Sequence, residues 1–177
     1  MLECRRQRGK DFDKAASFWT SKEDKAKHKP SAAEDLKRFI ASHKVCALAT
    51  GCGDFIRCTP LEYTFLNEAF WIFSEGGLKF KGLKDNANAC LAIFDEPDEK
   101  MFGHLHSAQI MGTASIIEPF SPEYLQLLDV KHIPEAAIRK MEEPIHLIKI
   151  VPVEADYLCS DLKQEGYDSR QHIVFST

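Results

Sequence analysis

A chain of 177 residues that is 44% hydrophobic can bury a sizeable core and suits one domain with short appendages. Its net charge of −4 argues against a nucleic-acid surface, while leaving room for a local basic cleft. No apolar run is long enough to span a membrane, and the basic start (Arg5, Arg6, Arg8, Lys10) lacks the apolar stretch of a secretory signal, so a cytoplasmic location is expected.

Residues 1–30 are polar and charged, with an aromatic island at Phe12, Phe18 and Trp19. They read as a short helix or arm packed on the body and ended by Pro30. Ser31-Ala32-Ala33-Glu34 has the pattern of a capping box opening a helix, with Leu36, Phe39 and Ile40 as its apolar stripe. His43 falls near the helix C-terminus, where a cationic ring suits the dipole. Val45 to Thr50 is a short apolar strand, and Gly51-Cys52-Gly53-Asp54 a hairpin-type turn. Phe55 to Phe65 alternates as one strand, in which Pro60 predicts an edge position or a bulge. Ala69 to Ser74 is the next strand, broken by Glu75-Gly76-Gly77, and Leu78 to Asp85 is a short basic helix.

Ala89 to Asp95 is again a strand, and Glu96 to Lys100 a polar loop. His106 to Glu118 reads as a long strand with a bulge or bend at Gly112. Ser121-Pro122-Glu123 opens a helix with proline at its first position. Ile145 to Ala155 is the last clear strand, and Asp156 to Thr177 is expected to pack as a helix and an extended arm. Close turn signals and abundant Val, Ile, Phe and Thr predict a mainly β, α+β fold, a small antiparallel barrel with peripheral helices.

The six cysteines (Cys4, Cys46, Cys52, Cys58, Cys90, Cys159) include no C-x-x-C pair, so a zinc site is poorly supported. Without a secretion signal they are expected to be free thiols, with Cys52 in its turn the best candidate for exposure. The segment from Arg57 to Leu83 carries the clearest chemistry. An Arg fork on a strand and a Lys beside Gly76-Gly77 at a helix start would complement an anion, most plausibly a phosphate.

The order Phe39-Ile40, Val45 to Thr50, Arg57-Cys58-Thr59-Pro60, Trp71 to Ser74, Lys79 to Asn86, Leu91 to Phe94 and Gln109 to Ala114 resembles the pyridoxamine 5′-phosphate oxidase-like FMN-binding split β-barrel family. The resemblance covers about residues 35–118, with the Val151-Pro152 strand similar too. It implies a six-stranded antiparallel Greek-key split barrel over residues 31–155, flanked by an arm at 1–30 and a C-terminal helix or arm at 156–177. It also implies a homodimer with two FMN sites at the subunit interface. The positions similar to the family's phosphate ligands are Arg57 and Lys79. Those similar to the residues along the flavin ring and ribityl chain are Cys58, Thr59, Pro60, Phe73 and Ser74. Ser107 stands where relatives often place a Gln. Where relatives often have Ser-Arg-Lys, this chain has Gly77-Leu78-Lys79, so one hydroxyl and one guanidinium are absent.

The resemblance implies an oxidoreductase acting on a small molecule, with the redox chemistry supplied by the flavin. Its catalytic residues and substrate are unassigned. Pyridoxamine phosphate oxidation itself is not expected, because the C-terminal Arg170 and His172 only superficially match the family's substrate motif. Two alternatives stay open: haem or metal binding through His104, His106 and His172, and a non-catalytic flavin-binding or stress module.

Overall fold

Two long strands, one bulged and one divided by a proline, organise this molecule. The structure is a computed structural model that describes residues 11–18, 21–22, 26–96 and 104–175. In chain order the elements are α1 (Ala32–Ser42), β1 (Val45–Cys52), β2 (Phe55–Glu62), β3 (Thr64–Leu66), β4 (Ala69–Ser74), α2 (Lys79–Leu83), β5 (Asn88–Phe94), β6 (His106–Ile117), α3 (Pro122–Val130), α4 (Glu135–Ile138), β7 (His146–Cys159), a 3-10 turn (Ser160–Lys163) and β8 (Arg170–Val174). All eight strands are antiparallel members of one sheet, ordered β2-β1-β5-β6-β7-β4-β3, with β8 also on β7.

β7 pairs with β6 along its length, while its other edge is shared. Its first part, through Ile150, pairs with β4, and its later part, from Glu154, pairs with β8. Pro152 sits between the two partners, at a point where the missing N–H costs no ladder bond on that edge. Opposite Pro152 stands Gly112, and the register of β6 shifts between Met111 and Gly112. The expected interruption at Gly112 is thus a bulge, which bends the long strand. The curled sheet forms a split barrel with helices outside it.

The strand count is eight, against the six expected. The run Phe55 to Phe65 divides at Tyr63, whose N–H makes a last bond in register with β1, to the Lys44 carbonyl at 2.8 Å, and whose buried hydroxyl donates to the Ile40 carbonyl at 2.6 Å. That anchoring turns the chain out of β2 and into β3. The other additional strand, β8, buries Gln171 and Ile173 alternately. β2 is an edge strand, as Pro60 predicts.

The main core lies inside the curl. α1 contributes Ala32, Leu36, Phe39 and Ile40, packed on Leu48, Phe70, Ile72, Leu91, Ile110 and Ile148. The Ser31 side chain makes no cap bond, so the expected capping box does not form. Ser121 does cap α3, accepting from Tyr124 N with Pro122 behind it. A second, smaller core joins Tyr124, Leu127 and Leu128 of α3 to Trp71 and Leu147. Residues 11–18 are helical but exposed throughout, with Phe12 and Phe18 in solvent rather than on the body. Trp19, Cys4, most of the polar loop after Glu96, and Ser176-Thr177 lie outside the described residues. No helix among the described residues is long and apolar enough to cross a membrane.

Candidate functional site

Paired residues in an antiparallel sheet share a face, so the register decides which predicted residues meet. Arg57 pairs with Thr50, and Thr59 with Leu48. Thr50 and Leu48 are buried, so Arg57 and Thr59 project toward the core side of the edge strand. α2 docks on this same side. The Thr50 hydroxyl donates to the Lys79 carbonyl at 3.2 Å. A Cβ added to Gly82 would stand 2.6 Å from Thr50 Oγ1 and 2.9 Å from the Gly51 nitrogen, so only glycine admits this close docking. Lys81 stands over the Phe55 ring at 4.8 Å.

The loop that delivers Lys79 is built by Ser74, Gly76 and Gly77. Gly76 and Gly77 have φ of 125° and 102°, values that L side chains rarely adopt. The Ser74 hydroxyl holds the bend, accepting from Gly76 N and donating to Gly76 O, each at 3.1 Å. The Lys79 ammonium donates to that same Gly76 carbonyl. α2 has only five residues, so its free N–H groups and dipole carry little weight, and the side chains are the anion-seeking groups.

Lys79 is only 6% exposed, yet among the described residues no carboxylate pairs with it. Burial first, and the charge of Arg57 second, hold its ammonium below the ordinary lysine value. Arg57 is exposed and makes no hydrogen bond or ion pair among the described residues. Beside it on the same strand face, Thr59 Oγ1 is buried without a hydrogen-bond partner. A buried cation, a free guanidinium and an orphaned hydroxyl on one side of the β1–β2 hairpin are an incomplete set. A phosphate would supply the missing negative charge and acceptors.

The other predicted residues lie elsewhere. Cys58 and Pro60 pair with Ala49 and Ala47 on the outer sheet face, opposite Arg57 and Thr59. Phe73 turns to the second core, edge-on to Tyr124 with centroids 5.7 Å apart. Ser107 pairs with Phe94 on the outer face, whereas the row of Arg57 runs through Thr50 and Ala89. The structure therefore does not bring Ser107 to Arg57 and Lys79 within one chain. The thiol expectation is corrected in one detail: among the described residues Cys58, at the sheet edge, is the exposed cysteine, and Cys52 is half-buried. Burial pushes the Cys46 thiol up to about 12. His104 and His106 face Asp161, whereas His172 of β8 pairs with Asp156 of β7. No group of three or more potential ligands among the described residues could hold a metal.

Sequence reasoning missed two groups. His146 pairs with Ser74 and packs on Phe80 of α2, 4.9 Å between ring centroids, next to the Lys79 loop. Gly82 gave no signal beyond its position in a basic helical run.

No protein-family model matches the sequence, and no curated protein matches it. Solved structures do. An FAD-binding protein from Mesorhizobium loti aligns with a TM-score of 0.56 at 16% identity, over 70% of this chain and 89% of that one. A haem-binding protein from Mycobacterium smegmatis aligns at 0.60 and 19%, over 83% of this chain and 59% of that one. A candidate pyridoxamine 5′-phosphate oxidase from Listeria innocua aligns at 0.53 and 20%, over 71% and 96%. At these identities the likeness is one of fold.

Proposed function

From a chain with the split-barrel fold of the pyridoxamine 5′-phosphate oxidase-like proteins, we propose that it is an FMN-binding flavoprotein, an oxidoreductase acting on a small molecule. The observation that carries the reading is Lys79, a buried ammonium without a carboxylate, beside the unpaired Arg57. Arg57 and Lys79 would hold the terminal phosphate, and the Thr59 hydroxyl would add a hydrogen bond. A phosphate monoester is close to a dianion at neutral pH, which two cations match. The internal diphosphate of FAD spreads its charge over two groups and carries a nucleoside beyond them, so FMN is the better fit. Bound flavin supplies hydride and electron transfer. This chain's own residues anchor and orient it, with Gly76 and Gly77 letting the backbone approach closely.

The reading includes a homodimer. The outer sheet face carries small residues, Ala47, Ala49 and Ala92, ringed by exposed Ile56, Phe94, Met111 and Val174, with Ile56 80% exposed. Apolar side chains in such a row favour burial. A second copy packed here would cover Cys58 and Pro60 and bring its own residues toward the flavin.

Titration of the purified protein with FMN, followed by flavin fluorescence and visible absorbance, tests the proposal. Saturable FMN binding is expected, with riboflavin much weaker. Each charge-assisted bond is worth about 1.5–3 kcal/mol, so Arg57→Ala and Lys79→Ala should each weaken FMN by about tenfold or more. A protein that takes up no FMN, or binds riboflavin equally well, refutes the phosphate site. A Soret band on titration with haem, without flavin uptake, would assign the fold here to haem instead.

A further inference from the structure

Beside the Lys79 loop the main core is not closed, and His146 stands at the opening. Ile72 of β4, Ile148 of β7 and Ile116 of β6 form one row across the ladder, on the core face. Ile72 and Ile148 are fully buried, yet Ile116 is 48% exposed. The cause is the end of β5. Its pairing with β6 stops at Asn88 and Thr113, with one further bond from the Ala114 N–H to the Ala87 carbonyl. Ile116 lies beyond that point, so among the described residues its only strand neighbour is β7. The next row toward the same end holds Ser74 and His146. His146 is thus the diagonal neighbour of Ile116 on one face, within reach of a long side chain.

The imidazole is also tied to the anion-seeking loop. Its ring packs on Phe80 of α2, with centroids 4.9 Å apart and planes inclined by 55°. The Lys79 ammonium stands over the same Phe80 ring, 5.4 Å from its centroid. Imidazole and ammonium are therefore neighbours across a single phenyl group. Ser74, which His146 faces across the ladder, holds the Gly76 bend to which Lys79 donates. His146 is half-buried, and among the described residues it makes no hydrogen bond or ion pair. Its nitrogens are not sealed inside the protein. A neutral imidazole offers one N–H and one lone pair, and here both are unspent.

A lone exposed isoleucine needs no explanation. Ile116 differs because it continues a row of buried core and adjoins an open imidazole, an aromatic ring and a phosphate-seeking ammonium. We propose that Phe80, His146 and Ile116 receive the ring end of the molecule whose phosphate Arg57 and Lys79 hold, with His146 bonding the polar edge of that ring. This rests on the flavin reading. An isoalloxazine is flat and two-sided in character. Its benzenoid side matches Phe80 and Ile116, and its pyrimidine side carries carbonyl acceptors and an N–H, which either tautomer of His146 can meet. The two cations fix where the phosphate lies, and His146 fixes which way the ring lies. Its part is to bind and orient the cofactor.

Titration of wild type and His146→Phe with FMN and with riboflavin tests this. Phenylalanine keeps an aromatic ring against Phe80 and deletes both nitrogens. Losing a neutral hydrogen bond to the ring should weaken FMN and riboflavin alike, each about three- to tenfold, so that their ratio stays as in wild type. Lys79→Ala should instead weaken FMN alone. Ile116→Asp should weaken both flavins. Unchanged affinities in His146→Phe or in Ile116→Asp overturn the proposal. So does a loss in His146→Phe confined to FMN, which would place the imidazole at the phosphate. A wild type that takes up neither flavin refutes the flavin reading itself, and this inference with it. If His146→Phe does not fold, the imidazole ¹⁵N shifts of the wild type decide. Movement of the His146 signals on adding riboflavin, which has no phosphate, supports the ring contact, and signals that stay in place refute it.

Discussion

Lys79 condenses the argument for the site into one side chain. A buried ammonium without a counter-ion costs the free protein stability that a bound phosphate restores. Lys79→Met keeps most of the aliphatic volume and removes the charge. It is expected to leave flavin-free stability unchanged or higher, while weakening FMN by about tenfold or more. Urea midpoints and FMN titration on the same preparation check both halves. The pH dependence has a definite sign. The folded value of Lys79 is lowered, so between it and 10.5 the unfolded chain binds more protons. Stability of the free protein should therefore rise as pH climbs through that interval, and Lys79→Met should lose the rise. Arg57 and Lys79 were legible in the sequence because residue type and the intervening glycines carry the chemistry. The orphaned state of Thr59 was not, since it depends on which hydroxyls find partners in three dimensions. Cys58 is more exposed than the expected Cys52 because the edge position of β2 sets accessibility, and composition is blind to that.

At the level of elements, α2 is placed by contact rather than by propensity. Its five residues are too few for a helix to persist alone, so its docking on β1 holds both its conformation and Lys79. Gly82→Ala tests this. Alanine gains about 1 kcal/mol of helix propensity over glycine, but its Cβ would run into Thr50 and backbone of Gly51. Such overpacking costs about 1–3 kcal/mol, so a net loss of stability and of FMN affinity is expected from denaturant unfolding and titration. A variant as stable as wild type, with unchanged affinity, would show that α2 does not need this approach. The strands of β1, β4, β5 and β6 were legible from apolar runs and turn residues. Tyr63 hid the break between β2 and β3, because it continues the alternation and even bonds Lys44 in register with β1, while its buried hydroxyl ties it to α1. The Ser31 box failed for a related reason: a local pattern names a possible bond, and here the backbone at Ser31 (φ −96°, ψ 19°) is not that of an N-cap bonding the helix.

For the whole molecule, the proposed dimer makes the outer sheet face an interior. Ala49 lies in its middle, between Cys58 and Cys90, and does not point into the core. Ala49→Arg should leave a folded chain that elutes as a monomer by light scattering and no longer retains FMN. A dimer of wild-type mass would remove this face from the interface. The overall architecture was legible because strand order and spacing survive where individual motifs are loose. β8 was not, since its five residues acquire meaning only beside β7. That dependence has a consequence for synthesis. Phe70 of β4 waits for Ile150, and one edge of β6 waits for the same strand, so before β7 leaves the ribosome a nascent chain can pair only β2-β1-β5-β6 and, apart from it, the short β3–β4 hairpin. Until then β4 offers an unpaired apolar edge, Phe70-Trp71-Ile72-Phe73, to any neighbour. The same proline-divided strand that splits the finished barrel therefore sets when the protein first becomes safe from aggregation.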